Sequence, residues 1–295
     1  MRCAGEPAPL ALPTSSKELD MQSQNRLSPD LAGHVTRHLS RHLLRHLSRH
    51  LSRHLSRTLL ALAAIALAGP AFGAPDTAGN AQYKAAIANP ARTADDRKSD
   101  AKRKPAEFLA FAKVRPGMKV LDVSAGGGAT SILLAAAVGP GGEVWAHNAK
   151  ASPKLDARLA AAPMANLRPL TAPFDNPVPA GSPPLDLVTI NMNYHDIVNT
   201  PTDRAAMNKH LYDALKPGGV LVLIDNAAKA GSGLSATNTL HRIEEAAVIA
   251  ELTKAGFTLD ARSDYLHVAA DPREQPFFKM EGKPDDKFAL RFVKK

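Results

Sequence analysis

Cysteine is all but missing from this 295-residue chain, with Cys3 the single one. No intrachain disulfide can form, and no cluster of thiolates is available for zinc. Aromatic residues are scarce as well, at 5 %. No stripe of Arg and Lys interleaved with aromatic rings exists to stack bases, so nucleic acid is not expected as an obligatory partner. No apolar run reaches the roughly 20 residues that a membrane-spanning helix needs; the one over Thr58–Ala68 is too short.

What is present falls into two unlike parts. From His38-Leu-Ser-Arg41 to His54-Leu-Ser-Arg57 a basic tetrapeptide recurs, and His34, His38, His42, His46, His50 and His54 make up six of the eleven histidines. Expansion of a short coding repeat accounts for this better than a metal-binding or nucleic-acid-binding helix does. The repeat suits the charged n-region of an export signal. The apolar core Thr58–Ala68 follows, then Gly69-Pro70 and Ala71-Phe-Gly-Ala74. Small residues at −3 and −1 predict cleavage after Gly73. Cleavage after Ala74 would place Pro75 at +1, which is disfavoured. No twin arginine precedes the core, so the general secretory route is expected. A buried Ala/Leu helix in a cytoplasmic protein is the alternative.

The mature chain from Ala74 would hold no cysteine, with 28 basic and 24 acidic residues. It is mildly basic, periplasmic or secreted by this reading, and touches a membrane only through its signal before cleavage. Its oligomeric state is not legible. Residues 74–95 read as a flexible or loosely docked arm, and 96–295 as one domain.

Lys119-Val-Leu-Asp-Val-Ser-Ala-Gly-Gly-Gly-Ala-Thr-Ser131 carries the most information. It reads as a strand, a tight glycine turn and a helix N-terminus, the order that builds a nucleotide-type site. A helical pattern over Asp96–Lys113 and the turn Arg115-Pro-Gly117 precede it. Helix Ala129–Val138 stops at Gly139-Pro-Gly-Gly142, and strand Glu143–His147 follows, then Asn148. A helix over Pro153–Ala162 and a strand over Arg168–Thr171 come next. Asp186–Ile190 reads as a buried strand with the loop Asn191–Asp196 at its end, and Thr202–Leu215 as a helix stopped by Lys216-Pro-Gly-Gly219. Val220–Ile224 should be the central strand. A long helix is predicted over Leu240–Ala255, stopped by Gly256, and strands over Thr258–Leu266 and Lys287–Val293 should pair antiparallel at one edge. Alternating strands and helices imply an α/β fold, Rossmann-like and doubly wound, mostly parallel, with ligands beyond the C-terminal strand ends.

Together these features resemble a class I S-adenosylmethionine-dependent methyltransferase over roughly residues 100–295. The resemblance rests on Val120-Leu-Asp-Val with its glycine loop, Leu215-Lys-Pro-Gly-Gly219 before a hydrophobic strand, and Ala255-Gly-Phe257 before the edge hairpin. Arg103-Lys-Pro-Ala-Glu-Phe108, Asn193-Tyr-His-Asp196 and Leu240-His-Arg-Ile243 are similar to a bacterial group of predicted methyltransferases that often carry export signals. The resemblance implies a seven-stranded sheet and S-adenosyl-L-methionine as cofactor, with a small-molecule acceptor. By it, Asp122, Ser124, Gly126, Gly127 and Gly128 would hold the methionine end. The N-terminal dipole of the helix starting near Ala129 adds to that site. Asn148 stands where the family usually has an acidic residue for the ribose, and Ser124 where the loop usually begins with Gly. Asp175 would lie near the adenine, unless Asp175-Asn176 is only a turn. The loop holding Asn191, Asn193, Tyr194, His195 and Asp196 would face the methyl group, with His195 as the general base.

No metal is expected. A magnesium site built on Asp225 would have one carboxylate and two amides, a poor donor set. His210, His241 and His267 read as scattered structural or exposed residues. The competing reading is a non-catalytic ligand-binding protein that keeps the fold. A nicotinamide oxidoreductase suits the glycine loop but not the Lys-Pro-Gly-Gly segment or the edge hairpin.

Overall fold

The computed structural model describes residues 77–295, with side chains from residue 81 onward. The repeats, the apolar core and the expected cleavage site lie outside the described residues. The chain order is α1 (Thr77–Ile87), α2 (Ala94–Lys98), α3 (Asp100–Arg103), α4 (Pro105–Phe111), β1 (Lys119–Val123), α5 (Ala129–Val138), β2 (Glu143–Asn148), α6 (Pro153–Ala161), β3 (Leu167–Thr171), β4 (Leu185–Asn191), α7 (Tyr194–Val198), α8 (Arg204–Ala214), β5 (Leu215–Asn226), α9 (Thr237–Leu240), α10 (Glu245–Lys254), β6 (Thr258–Ser263) and β7 (Lys287–Val293).

The seven strands form one sheet in the order β3-β2-β1-β4-β5-β7-β6. β3 to β5 run parallel, and β7 is antiparallel to both β5 and β6. This is the Rossmann-like sheet with an antiparallel edge that the sequence predicts. Successive strand residues feed opposite faces. Val120, Leu187 and Val222 enter one core cluster, while Leu121, Val188 and Leu221 enter the other. Both faces are therefore covered, and the inner strands read as continuous apolar runs. The strand order reverses between β1 and β4, which opens a crevice at their C-terminal ends.

Val220–Ile224 lies in β5, beside the central strand β4 rather than at the centre. Three further expectations change. The segment read as an arm contains α1, and Ala86 on it is buried. The cause is α5, which is apolar nearly all round and cannot bury itself on the sheet alone. Tyr83 and Ile87 of α1 pack against the cluster containing Leu134 and Val138. The Gln82 side chain donates to the Ala137 carbonyl, one of the α5 end groups with no helical partner. Second, the helical pattern over 96–113 breaks at Lys104, which takes a left-handed φ of 45° before Pro105. The residue before proline is pushed out of the right-handed helical region. Third, the helix expected over Leu240–Ala255 starts only at Glu245, and Leu240 instead belongs to the short α9. His241 ends α9 in a left-handed conformation, and Ile243 bridges to Ala227 before α10 starts.

Candidate functional site

The glycine loop sits at the switch point, tied to the end of β2. Ser124 N–H donates to His147 Nδ1 at 3.4 Å, Ala125 N–H to the His147 carbonyl at 2.8 Å, and Gly126 N–H to Asn148 Oδ1 at 2.8 Å. The Asn148 amide nitrogen donates back to the Gly126 carbonyl at 3.2 Å, and so does the Ser152 hydroxyl at 2.8 Å. Burial holds the His147 ring below its usual pKa, partly countered by its hydrogen bond to the Ala172 carbonyl. In that neutral ring Nδ1 accepts from Ser124 while Nε2–H donates to Ala172. Ser124 adopts the left-handed φ of 60° that explains why glycine suits this position.

The three glycines differ in what they face. A Cβ on Gly128 would lie 2.5 Å from the Leu155 side chain, and one on Gly127 would lie 2.7 Å from that of Lys154. Those two let the loop pack on α6. Gly126 opens onto free space, with no atom within 4 Å of a Cβ built there. Arg158 of α6 donates to the Gly127 carbonyl at 3.1 Å and ion-pairs with Asp96, which holds the loop from beneath.

Asp122 does not line the open crevice. It is fully buried, accepting from Ser131 at 2.5 Å and from Thr189 at 2.7 Å. Burial pushes its carboxyl up to about 6, against the lowering effect of those two hydroxyls. Its role is to join β1, α5 and β4 beneath the loop, which corrects the expectation of direct ligand contact. Asn191 ends β4, and its amide nitrogen is buried with no hydrogen-bond partner. Asn193 donates to the carbonyls of Ser124 (3.1 Å) and Asn191 (2.7 Å), so the two loops are stitched side by side. Asp175 is exposed, and its carbonyl bonds His210 in a turn beyond β3.

The post-β4 loop corrects the predicted catalytic set. Tyr194 is buried in the core beneath α8 and α10, its hydroxyl 2.6 Å from Glu251 and 2.8 Å from Asn208. Burial, then the Glu251 carboxylate, raise its pKa far above the usual phenol value. It cannot face a methyl group. His195 is only 2 % exposed. Its backbone N–H and Nδ1 both meet the buried Asp225 carboxylate, at 2.9 and 2.6 Å, and Nε2 lies 3.2 Å from Asp196. Burial alone would lower the His195 pKa, but the hydrogen bonds and charges of Asp196 and Asp225 outweigh it and raise it to about 9. Both ring nitrogens are engaged by carboxylates, Nδ1 by Asp225 and Nε2 by Asp196, so neither is free to take a proton from an acceptor.

His241, read as scattered, completes this corner. Its Nδ1 lies 3.1 Å from the same Asp196 oxygen, and its ring meets that of His195 edge-on at 5.6 Å. Asn226, whose side chain donates to the His241 carbonyl at 3.0 Å, holds the turn. No sequence spacing links His241 to Asp196, 45 residues earlier; only the left-handed stop after α9 brings them together. Asp225 is wholly buried and already accepts three hydrogen bonds, from the His195 N–H, the His195 ring and the Asn226 N–H, which disfavours a magnesium ion on it. A concavity of about 510 Å³ lies at the opposite sheet edge, lined by Lys119, Gly139 and Glu143, away from all these groups.

No family model matches the chain, and no curated protein matches it. Solved structures do. One is an S-adenosylmethionine-dependent methyltransferase from Aquifex aeolicus, 18 % identical, covering 67 % of this chain and 93 % of that one with a TM-score of 0.51. The fold is that of the S-adenosylmethionine-dependent methyltransferases. A second is a putative sarcosine dimethylglycine methyltransferase from Galdieria sulphuraria, 18 % identical, covering 66 % and 85 % with a TM-score of 0.50. The likeness is one of fold. Among the described residues, no helix is long and apolar enough to cross a membrane.

Proposed function

We propose that this chain is an exported S-adenosylmethionine-dependent methyltransferase that acts on a small molecule. The observation that carries this reading is the crevice at Gly126. It is open above the loop and lies at the switch point of a methyltransferase fold. The residues present fit the cofactor in part. The Asn148 amide keeps one acceptor lone pair and one N–H beyond its bonds to Gly126, enough to hydrogen-bond a diol without a charge. The cofactor, when bound, supplies an activated methyl group on a sulfonium sulfur.

The chain's own contribution is positioning. Asn193 fixes the post-β4 loop against the glycine loop, and Asp196, half-exposed, can orient a donor group of the acceptor. With His195 and Tyr194 unavailable as bases, the acceptor must arrive nucleophilic or be made so by another group.

Calorimetric titration of the purified protein with S-adenosylmethionine and S-adenosylhomocysteine tests the reading. Micromolar binding of both supports it. A folded protein that binds neither moves the assignment to a ligand-binding protein of the same fold. Export is tested by sequencing the N-terminus of protein recovered from the host envelope. Ala74 supports it, and an intact Met1 in the cytosol refutes it.

A further inference from the structure

The atoms His195 Nε2, Asp196 Oδ1 and His241 Nδ1 form one close cluster. All three groups offer a ligand atom within 4.8 Å of the others, and the two contacts through Asp196 are 3.2 and 3.1 Å. Ligand atoms about 2.0–2.2 Å from a metal ion lie about 3.0–3.4 Å apart around it, so these separations suit a shared cation. As hydrogen bonds alone they require both rings to point an N–H at one carboxylate oxygen. His195, which already meets Asp225 through Nδ1, then donates from both nitrogens as an imidazolium, and a bound ion would take the place of the Nε2 proton.

The surroundings are those of a built site. Asp225, with no exposed side-chain surface, takes the far nitrogen of His195 and so turns Nε2 outward. A carboxylate on the second ring nitrogen is the usual support for a metal-binding histidine. Each ligand is also held by its backbone. Asn199 donates to the His195 carbonyl at 3.1 Å, and Asn226 donates to the His241 carbonyl at 3.0 Å. The buried Arg242, next in sequence to His241, ion-pairs with Asp271 at 2.7 Å and donates to the Gln275 carbonyl at 2.9 Å. That pairing pins the segment carrying Phe278, whose exposed ring lies 5.5 Å from the His241 ring. The outer side is open: the side chains of Asp196 and His241 are 49 % and 36 % exposed.

We propose that His195, Asp196 and His241 form a binding site for a divalent first-row transition-metal ion, with Asp225 as the positioning residue. Two imidazoles and one carboxylate suit zinc, iron, cobalt or nickel better than magnesium or calcium. Three protein ligands leave coordination positions free, the arrangement of a site that takes a further ligand rather than a closed structural one. If the methyl-transfer reading holds, a bound ion would take an oxygen or thiolate of the acceptor at those positions. The metal site itself does not depend on that reading.

The test is a titration of the full chain with Co²⁺, followed by its visible absorption, and then displacement by Zn²⁺, without cofactor. The parent carries Ser at the six leader histidines, His34, His38, His42, His46, His50 and His54, so they do not compete. One ion per chain is expected. His241→Asn, chosen because Asn tolerates the left-handed backbone, should weaken binding at least roughly tenfold, as should Asp196→Asn, and Asp225→Asn by roughly 10- to 100-fold. His210→Ala should leave the isotherm unchanged. Unfolding midpoints measured on each variant separate loss of the site from loss of the fold. A folded parent that binds no Co²⁺ overturns the proposal, as does binding indifferent to both His241→Asn and Asp196→Asn. Neither result bears on cofactor binding, which calorimetry reads separately.

Discussion

Asn148 grips Gly126 by both ends of its side-chain amide, accepting from its N–H at 2.8 Å and donating to its carbonyl at 3.2 Å. A residue expected to reach a ribose is also a clasp on the loop. Asn148→Ala removes both bonds, each worth about 1 kcal/mol net. Affinity for S-adenosylhomocysteine should fall roughly tenfold or more, with a loss of global stability of up to about 2 kcal/mol. Calorimetry on the variant checks this, and unchanged affinity would show that the clasp does not shape the pocket.

The buried Asp122 carboxyl gives a pH signature. Its folded pKa, about 6, is above the ordinary 3.8 of the unfolded chain. The folded state therefore binds the proton more tightly. That stabilisation is fully present below pH 4 and is lost as pH rises through 6. Asp122→Asn keeps a neutral group at all pH. Relative to the variant, the natural protein should lose up to about 3 kcal/mol of stability between pH 4 and 8. Urea denaturation of both proteins across that range measures it. Parallel curves would mean that the carboxyl ionises in the folded state without cost.

Tyr194 should behave as a structural residue. Tyr194→Phe keeps the ring in the core and removes the hydroxyl shared by Glu251 and Asn208. A stability loss of about 1–3 kcal/mol is expected, because the Asn208 amide is left buried without a partner. Cofactor affinity should not change. Native stability together with lost cofactor binding or turnover would restore Tyr194 to the site.

Arg242 is wholly buried against Asp271 and has no role in cofactor binding on this geometry. Arg242→Met leaves Asp271 as an uncompensated buried charge, although the N–H groups of Asp286 and Arg273 still donate to it. The expected loss is about 3–5 kcal/mol. Limited proteolysis should also cut the 271–280 segment faster, because it loses its anchor. A change below about 1 kcal/mol would show that the backbone donors alone satisfy Asp271.

The strands, the glycine turn and the antiparallel edge were all legible along the chain. Each depends on neighbours in sequence: an apolar run for a doubly covered strand, glycine where φ is positive or packing is close, and Lys-Pro-Gly-Gly to stop a helix. The roles of single polar side chains were not. Tyr194, His195 and Asp196 are adjacent in sequence, yet one helical turn sends the first into the core, the second onto Asp225 and the third to solvent. Residues 74–95 looked loose because they are polar and rich in Ala and Pro, with few large apolar side chains. Only the bare outer face of α5 makes Ala86 a core residue and draws Tyr83 against it.

The sequence by itself determined the architecture, since hydrophobic period and turn chemistry are local and repeat along every element. The tertiary structure decided which polar groups meet. His241 joins His195 and Asp196 only because the chain stops in a left-handed turn after Leu240 and Asn226 clasps that turn. Such convergence depends on the three-dimensional closure of distant segments, for which no periodic pattern along the chain exists.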